Sequence, residues 1–253
     1  MLWLHQSALY LHIVAGVLAL AVFWVPALSK KGALNHKRFG RVFAIIMYTV
    51  GWSGVIMASL DLWRPLITHP VTATSTPEAM AAVSTGIRST ATFLLSLSIL
   101  VLATTRHGWL VIQHKEDRSI LRRPLHVALC LALLTAGFTL LLIGGRRGDI
   151  LMLIFGALET WLALGFLRYS FKADLAHPRE WWVEHPGALI ASGIGAYTAF
   201  FVVGAAGLLG PLLSEDSFAG LGVVFWVAPG IIGGVAIARL SRKYRRRFSA
   251  DPR

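Results

Sequence analysis

Long apolar runs joined by short polar links make up almost the whole chain. Leu9–Leu28, Val42–Leu60, Thr90–Ala103, Leu125–Gly144, Ile150–Leu167, Ala188–Leu209 and Ala219–Ala238 are nearly free of charge. A helix needs about 20 such residues to cross the hydrocarbon of a bilayer. The shorter run at Thr90 reaches that length when continued back to Pro77, which admits Arg88. Soluble core helices show a polar face every few residues, and these runs show none. The pattern predicts an all-α polytopic membrane protein, one domain over 1–253. Its seven spans are expected near 6–28, 42–62, 79–105, 125–144, 149–168, 187–210 and 218–238.

Charge turns that pattern into a topology. Five basic residues follow the first span, five the third, three the fifth and seven the last. Those connections hold 20 of the 24 Lys and Arg, whereas Arg64 stands almost alone after the second span and Glu215 with Asp216 follows the sixth. The positive-inside rule then predicts an outer N-terminus and a cytoplasmic C-terminus. The composition, 56% hydrophobic and 14% charged with a net charge of +12, is read the same way. Basic residues flanking spans contact anionic lipid, not nucleic acid. The first span has no basic residues ahead of it and no small-residue cleavage site, so it is expected to be retained. Cys130, the one cysteine, lies in an apolar run and reads as a buried structural thiol.

Helix ends and packing faces are also legible. Thr76-Pro77-Glu78 opens the third long helix, Asn35 is the expected N-cap of the second, Pro124 starts the fourth, and His185 before Pro186 is expected to cap the sixth. Gly187, Ala191, Gly195 and Ala199, beside Ala188, Ser192 and Ala196, form small-residue stripes that let helices approach closely. Pro229, Gly230, Gly233 and Gly234 suggest a kink or another close contact in the last span.

Ionisable residues at membrane depth are costly and mark candidate function. Glu159 lies midway along the fifth span, where a carboxylate must pair or take up a proton. At about 1.5 Å per residue, His12 is roughly 24 Å and Arg88 roughly 26 Å from the cytoplasmic ends of their spans. Asp61 lies at a similar level, so these three are expected to form an outer cluster or to snorkel separately to the interface. On the cytoplasmic side, His36, His126 and His185 each mark the start of an outward-running helix. The positive end of a helix dipole disfavours imidazolium, leaving neutral rings able to ligate. With Glu184 they form a candidate site for zinc, iron or another transition metal, or for haem through two imidazoles. No pair has helix-face ligand spacing.

Two further features bear on function. No span contains a lysine that a retinal Schiff base would need, and no phosphate-cradling glycine loop, nucleophile elbow or Cys-x-x-Cys pair occurs. Leu11-His12-Ile13 precedes an apolar run, and His36-Lys37-Arg38-Phe39-Gly40-Arg41 opens the next helix. In these residues, over about the first quarter, the chain resembles a bacterial inner-membrane protein family of unknown function. That family has a histidine early in one span and a His-Arg-x-x-Gly-Arg-like turn before the next. It is similar in turn to membrane cytochrome b proteins. The resemblance implies a bacterial inner-membrane location and haem-ligand candidacy for His12 and His36. A later histidine turn, His114-Lys115-Glu116-Asp117, lacks the basic and aromatic residues that should follow it. Three functions stay open: a haem or metal protein, a proton-coupled carrier using Glu159, and a scaffold for a second copy or a membrane partner.

Overall fold

The computed structural model describes residues 1–72, 76–173, 175, 177–204 and 215–250. All secondary structure among them is helical: α1 (Leu2–Leu28), α2 (Leu34–Trp63), the four-residue α3 (Pro65–Thr68), α4 (Pro77–Gln113), α5 (Pro124–Arg147), α6 (Ile150–Phe171), α7 (Trp181–Ala199) and α8 (Glu215–Ala250). A 3₁₀ turn covers Arg118–Arg122, and a π turn, Phe200–Gly204, prolongs α7. Residues 205–210 of the sixth predicted span and the side chains of Glu215 and Asp216 lie outside the described residues.

Among the described residues six helices are long and apolar enough to cross a membrane: α1, α2, α4, α5, α6 and the Val224–Phe248 part of α8. This is a multi-pass membrane protein. The sixth predicted span begins inside α7, whose opening turns carry Glu184, His185 and Pro186. Burial follows membrane logic on α1, where Ala8, Ala15 and Ala19 face inward while Leu11, Ile13, Val14 and Val17 face outward. Water would reverse that arrangement, since burying the larger side chains removes more apolar area from it. Lipid gives no such drive, so small residues take the interior, where they bring backbones close.

Prolines start two helices as expected, at Pro77 and Pro124, and Pro65 starts the short α3; the Thr76 hydroxyl accepts from the Ala79 amide at 3.3 Å. Two expected caps are corrected. The first helical bond of α2 runs from Lys37 N to Ala33 O, so Asn35 sits in the first turn. His185 is likewise inside α7, because the helix begins four residues earlier and takes in Pro186. Pro186 is the sixth residue of α7, so Trp182 O goes without the amide donor four residues on.

The chain divides into two compact units, and α1, α2 and α4 each give one end to either. The first comprises Met1–Ala15, Ile46–Ala103 and Arg123–Phe171; the second comprises Gly16–Ile45, Thr104–Arg122 and Lys172–Arg253. In the first, α5 and α6 form a tight antiparallel hairpin. Gly148, at φ 68°, ends α5 in the left-handed region, and the Asp149 carboxylate accepts from Met152 N at 3.1 Å to start α6. Buried Cys130, Leu133, Gly137, Leu140 and Gly144 repeat at alternating three- and four-residue steps. Met152, Gly156, Glu159, Ala163 and Phe166 do the same on α6. The closest approach is at Gly137 and Gly156, where a Cβ on Gly156 would lie 2.8 Å from Gly137 O.

In the second unit the close contacts of the sixth and last spans fall at Ala188, Gly193 and Gly233, not along the Gly187–Ala191–Gly195–Ala199 stripe. A Cβ on Gly108 would lie 3.1 Å from the Ala188 Cβ, Gly193 leaves room for the Phe23 ring, and Gly233 faces Ile194. Tyr197 OH donates to Leu20 O at 2.8 Å and accepts from Trp24 Nε1 at 2.6 Å. The Trp182 ring meets Tyr244 edge-on at 5.3 Å, and Arg118 donates to Lys172 O and Ala173 O.

Candidate functional site

The last carbonyls of a helix have no intrahelical partner, and in the second unit those of α1 draw in two cationic or imidazole side chains. Lys31 Nζ donates to Pro26 O at 3.0 Å and Ala27 O at 2.6 Å. His36, in the first turn of α2, brings Nδ1 to 2.9 Å from Pro26 O. A carbonyl only accepts, so His36 carries a proton on Nδ1, and Nε2 is the nitrogen left to ligate. His185 on α7 repeats the arrangement, with Nδ1 2.9 Å from Gly108 O of α4. The two ring centroids are 6.5 Å apart and their planes are 84° apart.

This is how imidazole ligands are oriented: one nitrogen is tied to a backbone carbonyl, which fixes the tautomer and leaves the other free. Two imidazoles on opposite sides of one metal, each about 2.0–2.1 Å from it, have centroids roughly 6–6.5 Å apart. Burial pushes the His185 imidazole down to about 4, against its hydrogen bond to Gly108, with His36, Lys31 and Lys115 adding to the fall. At neutral pH its ring is therefore uncharged. Lys115 also sits 4.7 Å from the centre of the Trp181 ring.

Of the four residues grouped from the sequence, His36 and His185 do come together. Glu184 instead takes the Nε2 proton of His107 at 2.9 Å. Bonds at 107 and 108 on α4 thus face bonds at 184 and 185 on α7. His107 is fully buried, as are Thr104 and Thr105 beside it. It was missed because the predicted third span stops at Thr105, whereas α4 runs on to Gln113; the signal was a polar triplet inside continuing helical periodicity. His126 belongs to the first unit, where it is buried beside Cys130 with Nε2 3.7 Å from Sγ.

The first unit also replaces the expected outer cluster of His12, Arg88 and Asp61. Asp61 Oδ1 lies 3.2 Å from His5 Nε2 and 3.2 Å from His69 Nε2. Arg88 is exposed and donates Nε to Leu62 O at 3.1 Å, satisfying a carbonyl at the end of α2. His12 brings Nδ1 to 3.0 Å from both Val50 O and Ser53 Oγ. Its tautomer matches that of His36. Heptad spacing was the signal for His5: it lies seven residues before His12, and Asp61 lies seven after Gly54, which packs near His12.

Glu159 is fully buried in the first unit. Neither carboxyl oxygen has a hydrogen-bonding partner among the described residues. The Ser96 hydroxyl lies against it but donates to Phe93 O at 2.8 Å. No family model matches the chain, nor does any curated protein or solved structure. The site therefore stands on the chain's own residues.

Proposed function

We propose that this is a cofactor-binding protein of the bacterial inner membrane, holding haem or a transition metal through His36 and His185. The observation that carries the reading is their shared tautomer. Each gives Nδ1–H to a main-chain carbonyl, and the rings stand 6.5 Å apart. The neighbourhood favours haem over a bare dication. Lys31 and Lys115 act electrostatically on His185, and two ammonium groups suit the carboxylates of a porphyrin while repelling a naked metal ion. Bound there, haem would supply one-electron chemistry. The chain's own part is to orient two imidazoles and to keep that of His185 uncharged.

An absorption spectrum of detergent-purified protein tests this. The expected result is a Soret band that is lost in His36→Ala and in His185→Ala, with helical content unchanged. A colourless protein that takes up neither added haemin nor metal at these residues would sink the reading. The basic links predict seven spans with the N-terminus outside. Tags at the two ends should therefore be reached from opposite faces of sealed vesicles, and labelling of both from one face would overturn that topology.

A second reading, a proton-coupled carrier, is favoured by Glu159 alone. An intramembrane acid whose oxygens have no hydrogen-bond partner among the described residues is suited to exchanging a proton. Solute-driven proton uptake into proteoliposomes, screened across solute classes and lost in Glu159→Gln, would support it.

A further inference from the structure

We propose that His5, Asp61 and His69 form a binding site for a divalent transition-metal ion of the zinc class. The site lies wholly in the first unit and is separate from the His36–His185 pair. One ligand atom from each residue lies within 4.8 Å of the others. The two distances to Asp61 Oδ1, 3.2 Å each, are close to the roughly 3.3–3.5 Å edge of a tetrahedron of N and O ligands about 2.0–2.1 Å from zinc. Hydrogen bonding does not account for the trio. Asp61 Oδ1 is buried, yet neither approach has hydrogen-bond geometry. A buried carboxylate oxygen left this way is costly unless a cation compensates it.

The local fold is arranged around these atoms. Asp61 lies in the last turn of α2, where the negative end of the helix dipole adds to its own charge in attracting a cation. The chain then turns through α3, and His69 N donates to Pro65 O at 2.9 Å while Thr68 Oγ1 donates to Pro65 O at 3.0 Å. That turn brings the His69 ring to 5.4 Å from the His5 ring, at 74°. His5 and Asp61 are buried, and the His69 side chain is 50% exposed. The exposed side leaves a fourth coordination position for water or an incoming ligand, as in zinc sites that exchange or act on a ligand. Two imidazoles with one carboxylate suit zinc, cobalt or nickel; magnesium and calcium prefer all-oxygen sets.

The test uses full-length protein in detergent, with any affinity tag removed, stripped by a chelator and titrated with Co(II). The expected result is one equivalent that is still bound in the double variant His36→Ala/His185→Ala, with the visible d–d absorption of a four-coordinate ion, displaced by Zn(II). Asp61→Asn and His69→Ala should each weaken binding by at least the roughly 10–100-fold that loss of an outer-shell partner costs. His5→Ala should do the same. In that double variant only this site can contribute, so loss of the equivalent on adding Asp61→Asn or His69→Ala separates failure of this site from failure of the His36–His185 reading. Asp61→Asn is isosteric and His69 is exposed, so both should fold even if His5→Ala does not. A Co(II) titration identical in wild type, Asp61→Asn and His69→Ala would overturn the proposal.

Discussion

Gly156→Val should cost about 3 kcal/mol or more, enough to disrupt the α5–α6 hairpin. Its Cβ would lie 2.8 Å from Gly137 O and 2.9 Å from the Leu141 amide nitrogen. Both are main-chain atoms of α5, so no rotamer change relieves the clash and the helices must separate. Overpacking with a flexible neighbour costs typically 1–3 kcal/mol, and a backbone collision belongs at or above the top of that range. The same reasoning holds at Gly137, where a Cβ would meet Thr160 N at 2.8 Å. Gly156→Ala should show the smaller first step. Gly145 and Gly165 have nothing within 4 Å of a built Cβ. Alanine at those positions should be neutral or slightly stabilising, because it restricts the unfolded chain and favours helix. Thermal unfolding in one detergent compares all four. Equal midpoints for Gly156→Ala and Gly165→Ala would show that the glycine crossing is not a tight contact.

The second large effect concerns Glu159 and has the opposite sign. A buried polar group without a hydrogen bond costs about 1–3 kcal/mol. Glu159→Met keeps side-chain length and removes that cost, so the variant should melt higher by an amount in that range. Replacing buried ionic groups by apolar ones of similar volume is often stabilising. If the protein moves protons, the same substitution should abolish that activity, giving higher stability with lost function. A lower melting temperature in Glu159→Met would show that the carboxyl makes a stabilising interaction in the folded protein, and the orphan-acid argument would fail.

These two cases differ in how far the sequence announced them. Glu159 stood out because a carboxylate in an apolar run is conspicuous whatever surrounds it. Gly137 and Gly156 did not, since a lone glycine becomes a contact only when a partner helix brings a second one opposite. The conspicuous small-residue pattern in the sequence is instead the pair of four-residue stripes of the sixth span. There Ala188 and Ser192 are buried, while Gly187 and Gly195 are only partly covered. Sequence spacing identifies a face that can pack closely; the register of the neighbour selects which residue on it is used.

The chain by itself determined that the fold is helical, where six of the long apolar helices lie, and that their surroundings are apolar. Those properties depend on runs of neighbouring residues, and hydrophobicity and backbone bonding within one helix are local. Only the tertiary structure decided which polar groups meet. Asp61 joined His5 and His69 instead of His12 and Arg88, and Glu184 took His107, because partners are chosen by the facing register of separate helices. That register depends on where tight crossings such as Gly137–Gly156 stop the helices sliding. No single segment carries that information.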